Sequence, residues 1–121
     1  MKVKRFEDLQ IWERSRKLTK LIYGITSSHK FVRDRALKDQ LTRASVSVMS
    51  NIAEGFDSGT KAEFARFLSM SRRSISEIQS QLYAALDQEY VVKNEFESLY
   101  NEAEEIRRMI TGFIKYLRGI K

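Results

Sequence analysis

Residues 60–87 read TKAEFARFLSMSRRSISEIQSQLYAALD, and their spacing decides the fold class. Thr60, followed three residues later by Glu63, fits a capping box, in which each side chain satisfies a backbone amide near the other. Phe64, Leu68, Ser71, Ile75, Ile78, Leu82 and Ala85 then return at alternating steps of four and three, which places them on one face of a helix. A half-buried strand would alternate apolar and polar residues, and no run of four or more does so cleanly.

The pattern extends in both directions. Toward the C-terminus, Asn94 and Glu97 make a second capping box. Phe96, Leu99, Ala103, Ile106, Ile110, Phe113, Leu117 and Ile120 keep heptad spacing behind it, with Gly119 where the last turn ends. Toward the N-terminus, Asp34 suits an N-cap, and Leu37, Leu41, Ala44, Val48 and Ile52 form a seam. Gly55 is placed to close that helix as a left-handed cap. A first helix carries Leu9, Trp12, Leu18, Leu21, Ile22 and Ile25, and the polar run Thr26 to Lys30 breaks it. The helices are expected at 8–26, 34–54, 60–88 and 94–118, in one domain spanning residues 1–121. The chain has no proline and five glycines, so little turn chemistry separates them. The expected fold is all-α, an up-down-up-down four-helix bundle. The alternative is a looser helical assembly in which one helix swaps between subunits.

Composition removes whole classes of function. Without cysteine there is no disulfide, no thiolate nucleophile and no cysteine-held zinc. With one histidine, His29, there is no pair of imidazoles and no di-iron Glu-x-x-His set. His29 follows Ser27-Ser28 in an expected link, without an organised acid partner for triad hydrolysis. The run Gly55 to Lys61 lacks P-loop spacing and no strand precedes it. Asp57, Glu54 and Glu63 are conceivable magnesium ligands, but acids near a helix start are ordinarily caps. The chain is therefore expected to be no enzyme and to hold no cofactor or metal. The longest near-apolar run, Leu21 to Ile25, is far below the ~20 residues that span a bilayer. Phe6-Glu7-Asp8 follows the basic start Met1 to Arg5 where a signal peptide needs apolar residues, so a cytoplasmic location is expected.

Charge is unevenly placed within a net +6. Residues 1–49 hold 12 Lys/Arg and 5 Asp/Glu, while residues 50–121 hold 10 and 11. Lys2, Lys4, Arg5, Arg14, Arg16, Lys17, Lys20, Lys30, Arg33, Arg35, Lys38 and Arg43 make the basic part. Clustered cations neutralise phosphates and release counterions, the basis of nonspecific nucleic-acid binding. They also suit an acidic face on a neighbouring subunit, and Glu95, Glu97, Glu102, Glu104 and Glu105 supply one.

A second feature is polar. Arg43, Ser47 and Asn51 recur every four residues, and Ser50 and Glu54 extend their stripe toward Gly55. Arg73, Ser74 and Glu77 on helix three offer complementary groups. Asn51 and Glu54 are expected to be covered and bonded to them, either as a register-fixing network or as a recognition site.

The segment Ser47-Val48-Met49-Ser50-Asn51-Ile52-Ala53-Glu54-Gly55 resembles the signature of the four-helix-bundle proteins encoded in 23S ribosomal RNA intervening sequences. Phe6-Glu7-Asp8-Leu9 with Trp12, Tyr23, Gln40 with Arg43, Phe67-Leu68, and Arg72 with Ser74 and Glu77 agree in order. The resemblance implies a closed bundle that assembles as a cyclic homopentamer. It extends in architecture to the accessory proteins of diversity-generating retroelements, basic pentamers that associate with a reverse transcriptase and nucleic acid. Val32 and Met49 stand where relatives often carry proline, so helix two is expected without a kink. Arg73 stands where relatives often have glycine, which puts a long cation at an expected close approach of helices.

The expected function is that of a non-catalytic oligomer binding RNA or DNA without base preference. Its contacts would be Arg14, Arg16, Lys17, Lys20, Arg35, Lys38 and Arg43. The alternative is a structural or adaptor oligomer that binds another protein. Ile11, Tyr23, Val46, Met49, Phe67, Met70, Tyr83, Tyr100, Ile114 and Tyr116 lie off the main seams and are candidates for subunit contacts.

Overall fold

The computed structural model describes residues 3–120; Met1, Lys2 and Lys121 lie outside the described residues, and with them the Lys2 member of the basic arm. Four helices, α1 (Gln10–Thr26), α2 (Arg35–Asp57), α3 (Lys61–Asp87) and α4 (Lys93–Leu117), account for most of the chain. Short 3-10 turns at Phe6–Asp8 and Phe31–Arg33 precede the first two. Among the described residues there is no strand, and no helix is long and apolar enough to cross a membrane.

Local chemistry sets the ends. Asp34 accepts from the Leu37 amide at 3.1 Å and starts α2 as expected. Its other oxygen accepts from the Tyr90 hydroxyl, and that bond raises the phenol pKa above its usual value. Thr60 caps α3 through the Glu63 amide at 3.1 Å, while the Glu63 carboxylate turns to Arg66 instead of completing the box. The Asn94–Glu97 box does not form. α4 starts at Lys93, behind Val92 as N-cap; valine offers no capping oxygen, and its own amide donates to Glu95 Oε1 at 3.2 Å. Gly119 (φ +70°) closes α4 with Ile120 N–H donating to the Lys115 carbonyl, a Schellman end. Glu89 (φ 61°) takes the same left-handed role after α3.

Gly55 departs from expectation. It lies inside α2, which runs unbroken to Asp57, and the left-handed position falls on Gly59 instead. Gly55 is buried where α3 crosses close: a Cβ there would sit 2.8 Å from Phe67 Cβ and 2.9 Å from Phe64 Cδ1. The close approach expected at Arg73 is found here, and Arg73 is exposed.

Each helix packs on its chain neighbours, and α4 returns to α1. Ser71 with Val48 and Ser74 with Ser47 run antiparallel across α2–α3, as do Arg72 with Thr111 and Gln79 with Glu104 across α3–α4, and Arg14 with Glu102 and Leu21 beside Asn94 and Ser98 across α1–α4. These three relations leave α1, joined to α2 by the Thr19–Ser45 bond, antiparallel to it as well. This is an up-down-up-down bundle. Its core holds Leu18, Ile22, Leu41, Ile52, Leu68, Ile75, Ile78, Leu82, Ile106 and Ile110, all essentially without exposure. Ile11 and Ile114, expected off the seams, are buried in it. Leu21 and Ile120, expected on the seams, are more than half exposed. Leu21 lies ~100° round the helix from the buried Ile22, on the side turned to solvent.

Small hydroxyls thread the core. Ser15, Thr19 and Thr26 donate to carbonyls four residues back, and Ser71 Oγ donates across to the Val48 carbonyl at 2.8 Å. Each buried hydroxyl thereby keeps a partner while letting helices approach.

Candidate functional site

The seven cations of the expected phosphate surface do not share one face. Arg14 belongs to the α1–α4 seam: its Nε and Nη2 donate to the two Glu102 oxygens at 3.1 and 2.9 Å, and Nη1 reaches Met109 Sδ. Arg43 recurs at four-residue steps with Ser47 and Asn51, and Ser47 Oγ receives a bond from Ser74 of α3 at 3.1 Å, so Arg43 edges the α2–α3 side. Arg16, Lys20, Arg35 and Lys38 flank the α1–α2 junction marked by the Thr19–Ser45 contact, and Lys17 points outward next to them. Arg16 lies 5.8 Å from the Trp12 ring centre, which steadies its guanidinium. Among the described residues none of Arg16, Lys17, Lys20, Arg35, Lys38 and Arg43 has a carboxylate within ion-pair distance. Two acids of α4 are engaged elsewhere, Glu102 holding Arg14 and Glu104 holding Arg107 and Arg108, while Glu95, Glu97 and Glu105 are exposed.

The polar seam is smaller than expected. Ser47 and Ser74 meet, but Asn51 turns back on its own helix, its Nδ2 donating to the Ser47 carbonyl at 2.9 Å and Ser47 Oγ at 3.1 Å. Glu54 and Glu77 are exposed and make no bond across the junction. The reason is the tight α2–α3 crossing at Gly55, which closes the gap with Phe64 and Phe67 and leaves Glu54 outside it. Beside the Ser74–Ser47 bond, a second bridge runs from Ser71 to Val48, from a serine that the sequence presents only as a seam position.

One grouping escaped the sequence reading. Ser69, Arg72, Arg73 and Ser76 line a recess of about 380 Å³ between α3 and α4, with Arg107 opposite. Their spacing of i, i+3, i+4, i+7 was the available signal, masked because Arg73 was grouped with Ser74 toward α2. Glu104 stands beside it, its carboxyl pulled down to about 2 by the Arg107 guanidinium first, then by the Gln79 amide. His29 is exposed in the α1–α2 link. Glu54, Asp57 and Glu63 do not converge: among the described residues no three His, Cys, Asp or Glu side chains gather as a metal site would require.

None of the curated proteins is similar enough in sequence to match the chain. In fold it resembles a protein of unknown function from the S23 ribosomal protein family of Bacteroides thetaiotaomicron, whose crystal structure is at 1.70 Å resolution. The two share 21% identity with a TM-score of 0.80, over 87% of this chain and 98% of that one. The sequence profile described as 23S rRNA-intervening sequence protein matches residues 7–112, from the first 3-10 turn into the last turns of α4. Carrying that match over all four helices, the chain belongs to the 23S rRNA-intervening sequence protein family.

Proposed function

We propose that this protein is a non-catalytic oligomer that binds RNA or DNA through the phosphates, using the face shared by α1 and the start of α2. The observation that carries the reading is the unpaired state of Arg16, Lys17, Lys20, Arg35 and Lys38 among the described residues. Arg16, Lys17, Lys20 and Arg35 are exposed and Lys38 is half-buried, and cations without intramolecular partners are free to displace counterions from a phosphate backbone. Arg14, committed to Glu102, drops out of the contact set, and Arg43 would meet only a strand that wraps onto the α2–α3 side. A ring of five subunits, the number implied by resemblance, would repeat the patch and combine weak contacts into avidity.

The test is titration of single-stranded RNA and duplex DNA at two salt concentrations. Binding should weaken with a logarithmic slope of about −0.9 per duplex phosphate neutralised. Reversing Arg16, Lys17 and Lys20 to glutamate should abolish it while leaving helical circular dichroism and assembly size intact. Wild-type protein that retains neither nucleic acid at low salt would defeat the reading. The half-exposed Leu21, Tyr23 and Tyr83 favour a second reading in that event, an adaptor oligomer that binds another protein through apolar contacts.

A further inference from the structure

On α3, Ser69, Arg72, Arg73 and Ser76 form one stripe facing the α3–α4 groove, with Arg107 across it. Two of the three arginines are fixed in place. Arg72 Nη1 donates to Thr111 Oγ1 at 3.2 Å, and Thr111 donates its own hydroxyl to the Arg107 carbonyl. That single bond orients the Arg72 fork and leaves its remaining donors without a protein acceptor among the described residues. Arg107 is gripped by both oxygens of Glu104, which Gln79 anchors in turn at 3.1 Å. Arg73 is exposed and has no ion pair, although Glu77 stands one turn away. Arg108 also touches Glu104, at 3.4 Å, so that carboxylate is shared by Arg107 and Arg108 and leaves Arg72 and Arg73 without an acid partner among the described residues. Ser76 Oγ makes only a long 3.5 Å contact with the Arg72 carbonyl, so its hydroxyl can turn to a ligand.

We propose that this groove is a binding site for a phosphate group, separate from the α1–α2 face. Planar guanidinium forks match the tetrahedral oxygens of a phosphate bidentately. A carboxylate has two oxygens and satisfies one fork, whereas a phosphoryl group presents enough oxygens for Arg72, Arg73 and a serine hydroxyl together. A small polyphosphate and a nucleic-acid backbone both present such a group, and the chemistry of recognition is the same. The site lies on the side of the bundle diagonal to the α1–α2 junction, so it stands whether or not that face binds nucleic acid.

Calorimetric titration separates these sources, with inorganic pyrophosphate in one arm and a single-stranded RNA oligonucleotide in the other. Wild-type protein should bind pyrophosphate once per chain. The Arg72→Gln, Arg73→Gln double variant should lose about tenfold or more in affinity. Thr111→Val removes the strap but no charge, and should retain most of the binding. The triple reversal of Arg16, Lys17 and Lys20 should leave pyrophosphate affinity unchanged. If pyrophosphate fails to bind but the double variant binds RNA more weakly than wild type, the site takes a backbone phosphate. Arg73→Gln alone, at an exposed position, supplies the comparison if the double variant loses its helical signal. Equal binding of both ligands by wild type and the arginine variants overturns the proposal.

Discussion

Gly55 occupies a notch that no other residue fits. A Cβ there would meet Phe67 Cβ at 2.8 Å and the Phe64 ring at 2.9 Å, and Phe67 Cβ is tied to its backbone and cannot swing aside. Helix α2 would have to draw back from α3 at the crossing they share. Gly55→Ala should therefore cost about 1–3 kcal/mol, against the small gain alanine gives in an open helix. Chemical denaturation measures this, and an unchanged or raised midpoint would show that the crossing relaxes freely. The sequence placed glycine correctly as special but for the wrong cause. A glycine after a seam ordinarily signals a helix end, and only the position of Phe64 and Phe67, one link away, reveals a contact instead. Asn51 shows the same limit: its stripe position points to α3, yet its nearest acceptors are four residues back on its own helix.

Helices were legible where their cues were local. The Asp34 and Thr60 caps and the heptad seam of α4 as far as Ile110 are short-range patterns, and the structure carries them out. Side-chain partners across helices were not legible, because Arg14 and Glu102 stand 88 residues apart and nothing near either names the other. The α3–α4 pairing shows what such contacts do. Glu104, about a quarter exposed, is held by Arg107 and Gln79, with its pKa lowered from 4.5 to about 2. A carboxylate whose folded pKa is depressed stabilises fully above its unfolded pKa, and that contribution disappears as pH falls from 4.5 through about 2. Solvent screening reduces it to on the order of 1 kcal/mol at neutral pH. Glu104→Gln should lose that amount at pH 7 and flatten the acid limb of the stability curve. A variant whose stability falls between pH 4.5 and 2 as steeply as wild type would place the titrating group elsewhere.

For the whole molecule, charge and apolar surface make different demands on assembly. Tyr116 is 72% exposed, and Leu21 and Tyr83 are 51% exposed. Near Tyr116, an opening of about 620 Å³ lined by Leu9, Ile11, Met109 and Phe113 adds apolar surface at the α1–α4 end. A single chain leaves all of this in water, and contact between subunits would cover it. The alternative, a basic face of one subunit docked on the acids of the next, is left with Glu95, Glu97 and Glu105, since Glu102 and Glu104 are already paired within the chain. Apolar association survives salt, whereas ion-pair association is screened over a Debye length of about 8 Å at physiological ionic strength and less above it. Light scattering should therefore give the same mass at low and high salt, about 71 kDa if the five chains of 14.2 kDa implied by the resemblance assemble. Nucleic-acid binding should meanwhile fall steeply over that range. Dissociation by salt would return the cations of α1 and α2 to a role in subunit contact, and a 14.2 kDa species at micromolar concentration would remove the ring altogether.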